Sequence, residues 1–320
     1  MELSVIMPVY NGAKSLPMTL ESLLAQHPLP FPWEIVAVDD GSTDESLLIL
    51  KEYEVKAQAL GICFRVEARE NGGVGSCRNR CLQLAEGERI LFLDADDRLH
   101  EGALAYGMKR MDETGADIFL FDSEFLYADG RREPFPMAEH EGGRMTAEDY
   151  MLSQPCPWNK IVARSVVKES GLSFPEGILY EDLAMIPLLG AFAKGGIWYE
   201  KKCLHSYYQS SDSIMRSPWS EKRMDLFPAL EFLYTHGKGN ENGVAYLFFL
   251  HLYRSFVWQA WEAGDRKALC RASSFMKAHF PKWWKNPLIR RKTRGKERMT
   301  AMLFHHKLFW LLSAWKGGKG

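Results

Sequence analysis

The stretch Ile90-Leu91-Phe92-Leu93-Asp94-Ala95-Asp96-Asp97 decides how the fold is read. Four apolar residues bounded by charge read as a buried strand. Its carboxylates then emerge together at the carboxyl end of that strand, where open α/β sheets hold their ligands. Three carboxylates gathered at a sheet edge repel one another unless a cation sits among them. Hard oxygen ligands of this kind suit Mg²⁺ or Mn²⁺, and Mg²⁺ is usually shared with substrate phosphates. The same residues also read as a solvated turn that closes a strand. Both readings stand on this stretch alone.

Upstream, strand and helix alternate. Ser4–Met7 reads as a strand that leads through Pro8-Val9-Tyr10-Asn11-Gly12 into a helix with Leu16, Leu20, Leu23 and Leu24 at helical spacing. A loop with Pro28, Pro30 and Pro32 precedes the strand Glu34–Val38, which Asp39-Asp40-Gly41-Ser42-Thr43-Asp44 breaks. Thr43 or Asp44 is placed to cap the next helix, which carries Leu47, Leu48 and Leu50. A strand near Cys63–Ala68 then precedes Asn71-Gly72-Gly73-Val74-Gly75 and a helix through Leu84. Strands separated by single helices pair in parallel with right-handed crossovers, which gives a helix-flanked α/β sheet of nucleotide-binding outline. From Glu101 to Arg216 the pattern loosens, with a strand at Ile118–Phe121 and a hairpin turn signal at Asp129-Gly130. Beyond Pro218 everything reads as helical.

Composition is that of a globular protein: 320 residues, 46% hydrophobic, 25% charged and a formal net charge of -1. That balance argues against nucleic acid as a partner of the whole chain, although it hides a strong asymmetry at the C-terminus. The six cysteines form no C-x-x-C pair, so neither a zinc ribbon nor a thioredoxin-like motif is indicated. Reduced thiols in a cytoplasmic protein are the expectation. The start has no basic-then-apolar leader, so no signal peptide is expected. No uninterrupted apolar stretch reaches the ~18 residues of a bilayer span.

Four strand ends deliver polar clusters to one sheet edge: Pro8–Asn11, Asp39-Asp40, Asn71–Gly75 and Asp94–Asp97. Asp40 is suited to accept from a nucleobase N–H. The glycine loop lets backbone approach a ligand closely, and Arg78 on the following helix can face an anion. A dinucleotide-binding domain is the obvious rival. Arg78 stands where the third glycine of its G-x-G-x-x-G fingerprint belongs, and Pro8–Gly12 is not glycine-rich, so that rival is set aside.

Together Ser4–Asn11, Val38–Asp44, Asn71–Asn79 and Leu93–Asp97, with Pro157-Trp158-Asn159-Lys160 and Tyr180-Glu181-Asp182-Leu183, resemble the family 2 glycosyltransferases of GT-A fold. The resemblance covers roughly the first two-thirds of the chain. It implies a Rossmann-like α/β fold with a mixed central sheet flanked by helices and a helical C-terminal extension. It also implies an inverting transferase that uses a nucleotide-diphospho-sugar, most often a UDP-sugar, with Mn²⁺ or Mg²⁺. Carried over by position, Pro8, Val9 and Tyr10 line the nucleotide pocket and Asp40 contacts the base. Asn71, Gly73, Arg78, Asp94 and Ala95 complete the donor site, Asp96 ligates the metal, and Asp182 is the catalytic base. Inversion is a single in-line displacement, so one carboxylate deprotonates the acceptor hydroxyl. A metal neutralises the leaving diphosphate, so no protein acid is required. Glu181-Asp182 reads equally as the acidic start of a helix. Trp158 is a candidate to stack on a sugar, with core packing as the alternative. Glu181 and Arg216 are further sugar or acceptor contacts, and His205 reads as structural.

The expected organisation is a catalytic domain over 1–216, with a nucleotide-binding half at 1–100 and an acceptor half at 101–216, then a basic, aromatic helical region at 217–320. Lys282 to Lys319 holds eleven Lys or Arg against Glu297 alone, interleaved with Trp283, Trp284, Phe304, Phe309, Trp310 and Trp315. Such a segment suits an anionic membrane surface, with a helical cap on the catalytic domain as the alternative. The acceptor is then a glycan or a lipid-linked sugar, and the location is cytoplasmic with peripheral contact on the inner face of the membrane. No recognisable fold presents base-stacking aromatics, so nucleic acid is not expected there either. A sugar-nucleotidyltransferase and a non-catalytic nucleotide-sugar-binding protein are the alternatives.

Overall fold

Strand β1 (Leu3–Val9) is buried at every position because it runs between two parallel neighbours with helices on both faces. Its odd residues, Leu3, Val5, Met7 and Val9, face one core and Ile6 the other. The computed structural model describes residues 1–209, 218–309 and 311, in two compact units, Met1–Arg216 and Ser217–Gly320.

In the first unit β2 (Trp33–Asp39), β3 (Cys63–Ala68) and β4 (Arg89–Phe92) join β1 in the order β3-β2-β1-β4, all parallel. The remaining strands are β5 (Arg98–Leu99), β6 (Ile118–Tyr127), β7 (Arg132–Phe135), β8 (Gly143–Met145), β9 (Lys160–Ala163) and β10 (Ile197–Gln209). They continue the sheet from β4 as β9-β6-β10-β5, with β7 beside β6 and β8 beside β10. β9 is antiparallel to both β4 and β6, so the sheet is mixed, as the resemblance implies. The parallel half follows from its alternation of strands and helices. The antiparallel insertion has no local signal, because β9 meets partners set by the whole chain.

Helix α1 (Leu16–Leu24), α2 (Ser46–Ala59) and α4 (Ala103–Thr114) cover one face, while α3 (Val74–Leu84) lies on the other with Phe174, Ile186 and Leu189. The Asp129-Gly130 signal is a hairpin between β6 and β7, with Gly130 at φ 82°. The expected cap of α2 is displaced. Glu45 holds the cap position, and Asp44 instead accepts from the amides of Ser46 and Ala13.

Among the described residues the second unit is entirely helical. Its helices include Leu226–His236, Glu241–Phe248, Arg266–His279, Pro287–Lys292 and Gly295–His305. Asp265 and Asn286 cap two of them by accepting from Ala268 and Ile289. Two of the tail aromatics are spent on this core. Trp283 and Phe304 are each 1% exposed, and the Trp283 indole and the Tyr253 hydroxyl both converge on His305 Nδ1. Within the segment Met299–Trp315, expected to lie on a bilayer, Ala301 and Phe304 face inward while Met299 and Leu308 are exposed. Trp310 and Trp315 lie outside the described residues. No helix among the described residues is long and apolar enough to cross a membrane.

Candidate active site

The acidic turn is held from three sides. The Asp97 amide donates to the Asp94 carbonyl, which closes the turn at 3.1 Å. Ser15 and Thr19 at the start of α1 donate their hydroxyls to the Ala95 carbonyl at 3.2 and 3.0 Å. Asp97 is wholly buried, accepts from the Tyr208 amide at 3.0 Å and faces His205 Nε2 at 3.1 Å. Asp96 is left half-buried, and burial, then Asp97 and Asp94, push its carboxyl up to about 7. Crowded carboxylates of this kind fit a hard divalent cation, which would restore the ionised form.

Arg78 joins this turn to the second acidic motif. Only 4% exposed, its guanidinium donates through Nη2 to Asp94 Oδ1 at 2.8 Å and through Nη1 to Glu181, 103 residues further on. Burial opposes its charge, but Asp94 and Glu181 more than offset that and hold the guanidinium firmly ionised. Arg78 is therefore a bridge inside the protein and does not stand free to face a donor phosphate. Beside Glu181, burial raises the Asp182 carboxyl while Arg78 works to lower it. Its Oδ1 accepts from the Leu183 amide at 2.7 Å in the first turn of a five-residue helix, so Glu181-Asp182 is also the acidic start of a helix. Tyr180, just before it, has a left-handed backbone at φ 66°, a conformation that costs a non-glycine residue about 1–2 kcal/mol.

The segment that carries Glu181 is locked to α3. Asn79 exchanges hydrogen bonds with the Phe174 backbone, both at 2.9 Å. A Cβ on Gly75 would stand 2.4 Å from the Pro175 carbonyl oxygen. Gly→Ala inside a helix ordinarily stabilises by about 1 kcal/mol. Here the sign should invert, with Gly75→Ala costing roughly 1–3 kcal/mol in urea or thermal unfolding. A gain in stability would show that the segment yields freely.

At the nucleotide end the two neighbouring aspartates are engaged differently. Asp40, 2% exposed, spends both carboxylate oxygens on the Gly72 and Gly73 amides and lies 3.3 Å from Arg69 Nε. Its carbonyl takes the Asn71 side chain, so it shapes the glycine loop. Gly73 starts α3 at φ 85°, which favours glycine. Asp39, equally buried, accepts from the Ser42 amide at 3.2 Å through Oδ2, while its Oδ1 has no partner. An orphaned buried carboxylate oxygen asks for a donor. Nothing in the sequence separates the two neighbours. Tyr10 is 55% exposed beside them, whereas Pro8 and Val9 are buried in β1.

Trp158 is not a free sugar platform. It is 5% exposed, and its ring stacks on His205 at 4.3 Å and on Tyr207 at 5.3 Å. The core alternative holds, and His205 is structural. Lys160 has no assigned role in the sequence, although one charge opening the apolar run of β9 is a signal. It is wholly buried and donates to the Cys156 carbonyl and to Asn159 Oδ1, and burial pushes it down to about 8. Arg216 lies outside the described residues. A hollow of about 630 Å³ lined by Glu86–Arg89, Asp112 and Lys168 lies by the start of β4, away from these groups.

Parallel strands that end in carboxylates, a sheet continued by antiparallel β9 and flanked by helices, and a helical extension define the GT-A class of fold. The family described as Glycosyl transferase family 2 matches residues 4–162, and the chain belongs to it. It is 32% identical over 178 residues to the poly(ribitol-phosphate) beta-glucosyltransferase of Bacillus spizizenii, covering 56% of this chain and 27% of that one. It is likewise 32% identical over 176 residues to the poly(ribitol-phosphate) beta-N-acetylglucosaminyltransferase TarS of Staphylococcus aureus, covering 55% and 30%. The chain thus spans less than a third of the length of these relatives. The crystal structure of S. aureus TarS 1-349 in complex with UDP-GlcNAc superposes with a TM-score of 0.74 at 22% identity, covering 99% of this chain and 92% of that one.

Proposed function

We propose that this chain transfers a sugar from a UDP-sugar to a hydroxyl of an anionic, alditol-phosphate polymer of the cell surface, with inversion. One observation carries the reading: a single buried guanidinium, Arg78, binds the acidic turn through Asp94 and the base-bearing motif through Glu181. Donor-side carboxylates and the candidate base therefore belong to one cluster, as a one-step displacement needs. The relatives, which act on poly(ribitol-phosphate), support the acceptor class. A lipid-linked acceptor has less support, since Trp283 and Phe304 are buried.

In this reading Asp39 Oδ1 accepts the imide N–H of a uracil ring, and exposed Tyr10 lies against the base. Asp40 and Asn71 hold the glycine loop against the donor. Asp96, with Asp94 close by, would hold Mn²⁺ or Mg²⁺. Such an ion would neutralise charge on the departing diphosphate. Asp182 accepts the proton of the attacking hydroxyl, and Arg78 holds Glu181 so that Asp182 keeps its place.

The test is a panel of nucleotide-sugars offered with ribitol-phosphate polymer, with and without Mn²⁺, scored by nucleotide release and by polymer mass. UDP-sugars should be consumed only with the cation, and the polymer should gain sugar. A protein that neither binds nor consumes any nucleotide-sugar would end this reading. Within that panel Asp39→Asn should raise the KM for the UDP-sugar about 10–100-fold, the worth of a charged hydrogen bond of about 1.5–3 kcal/mol. An unchanged KM would return the base contact to Asp40.

A further inference from the structure

The net charge of -1 conceals a division between the two units. Residues 1–216 carry 21 Lys or Arg against 34 Asp or Glu, and residues 217–320 carry 19 against 7. The unit that holds the candidate active site is therefore at -13 and the helical unit at +12. A polyanionic acceptor meets repulsion from the first unit and attraction from the second.

The positive charge is concentrated further. Residues 266–298 contain twelve Lys or Arg and a single acid, Glu297, whose carboxylate lies 3.3 Å from Arg254 and accepts from the Arg294 amide at 2.8 Å. Lys282, Lys285, Arg290 and Arg294 are exposed, and none of them pairs with a carboxylate among the described residues. The fold gathers residues 290–298, because Arg298 Nη1 donates to the Arg290 carbonyl at 3.2 Å and to the Thr293 carbonyl. Cations gathered without counter-charges repel one another, and an anion relieves that repulsion.

The surface is charged but not apolar. Beneath it Trp283, Leu288, Ile289 and Phe304 are at most 3% exposed. The large apolar side chains exposed in this unit, among the described residues, are Tyr234, Met299 and Leu308. A helix that binds a bilayer needs an apolar face to sink into it. A hydrated polyanion needs only cations. We infer that the cationic face of Lys282, Lys285, Arg290 and Arg294 docks the phosphodiester chain of the acceptor, so that a long polymer is gripped through its phosphates while one of its hydroxyls is glycosylated. This inference rests on the acceptor class proposed above.

The experiment compares the full chain with a variant carrying Lys282→Gln, Lys285→Gln, Arg290→Gln and Arg294→Gln. Both are assayed on ribitol phosphate as a single repeat and as a long chain, over a range of salt, and sedimented with phosphatidylglycerol vesicles. The variant should raise the KM for the long chain about tenfold or more. It should leave the KM for the single repeat and for the UDP-sugar unchanged. Its slope of log affinity against log salt should flatten by roughly 3, at about 0.7 for each phosphate no longer neutralised. Equal long-chain KM in both proteins would overturn the docking surface alone. Loss of vesicle binding with an unaltered long-chain KM would also overturn it and assign the face to a membrane. Consumption of UDP-sugar by the unaltered chain without transfer to either form would overturn the acceptor class, and the docking with it.

Discussion

Replacing Asp182 with Asn should leave donor affinity where it is and cut sugar transfer roughly 10²–10⁴-fold, the usual worth of a positioned general base. Asn keeps the shape and the hydrogen bond from the Leu183 amide, so the helix start should survive. The pH profile supplies a second readout. Burial raises the Asp182 carboxyl, with Arg78 opposing, Asp94 adding to the rise and Lys160 lowering it. A base acts only when ionised, so transfer should fall away as pH drops through that raised value, on the alkaline side of an ordinary aspartate. Near-normal turnover in the variant, measured by release of UDP at saturating acceptor, would remove Asp182 from the chemistry.

The second large effect is on stability. Arg78→Met removes the only cation in direct contact with buried Glu181 among the described residues and strips Asp94 of its partner. Breaking a buried pair in this way costs roughly 3–5 kcal/mol, because a charge is left without compensation. For a unit of this size that is a fall in Tm of about 10 °C. Arg78→Lys should land between the two proteins, since an ammonium cannot reach both carboxylates with the planar fork of arginine. A melting temperature within a degree or two of the parent protein would mean that the bridge has no structural weight. Asp182→Asn and Arg78→Met should both lower activity, but of these two only Arg78→Met should also lower the melting temperature.

The sequence discloses those parts of the site that depend on position along a strand. The ends of β1, β2 and β4, and the loop after β3, fall where apolar runs stop, and parallel pairing then brings them to one edge. It does not disclose partners. Arg78 stands on a helix beside a glycine loop, so it reads as an anion ligand, while Glu181, which claims it, lies 103 residues away. Asp39 and Asp40 are adjacent letters, and which carboxylate the Gly72 and Gly73 amides would occupy depends on how that loop returns. Trp158 and the tail aromatics have a composition that suits either a surface platform or a core. Only the stacking of Trp158 on His205 and Tyr207, and the contact of Trp283 with His305, decide for the core at these two positions.

The spacing of β4 and β5 has a consequence for the shape of the sheet. In ladder order these strands lie four places apart, with β9, β6 and β10 between them. A flat sheet would set them about 19 Å apart. Yet only residues 93–97 join them, and Asp94–Asp97 is a closed turn whose ends lie within about 7 Å. Drawn out end to end, the six steps from Phe92 to Arg98 would reach about 20–22 Å, but a turn spends much of that reach by doubling back and leaves less than the flat-sheet gap. The sheet must curl until its far edge approaches β4, and the acidic loop is the strap that draws it in. Inserting residues there would slacken the strap as well as move the carboxylates, so the length of this loop is constrained by architecture and by chemistry together.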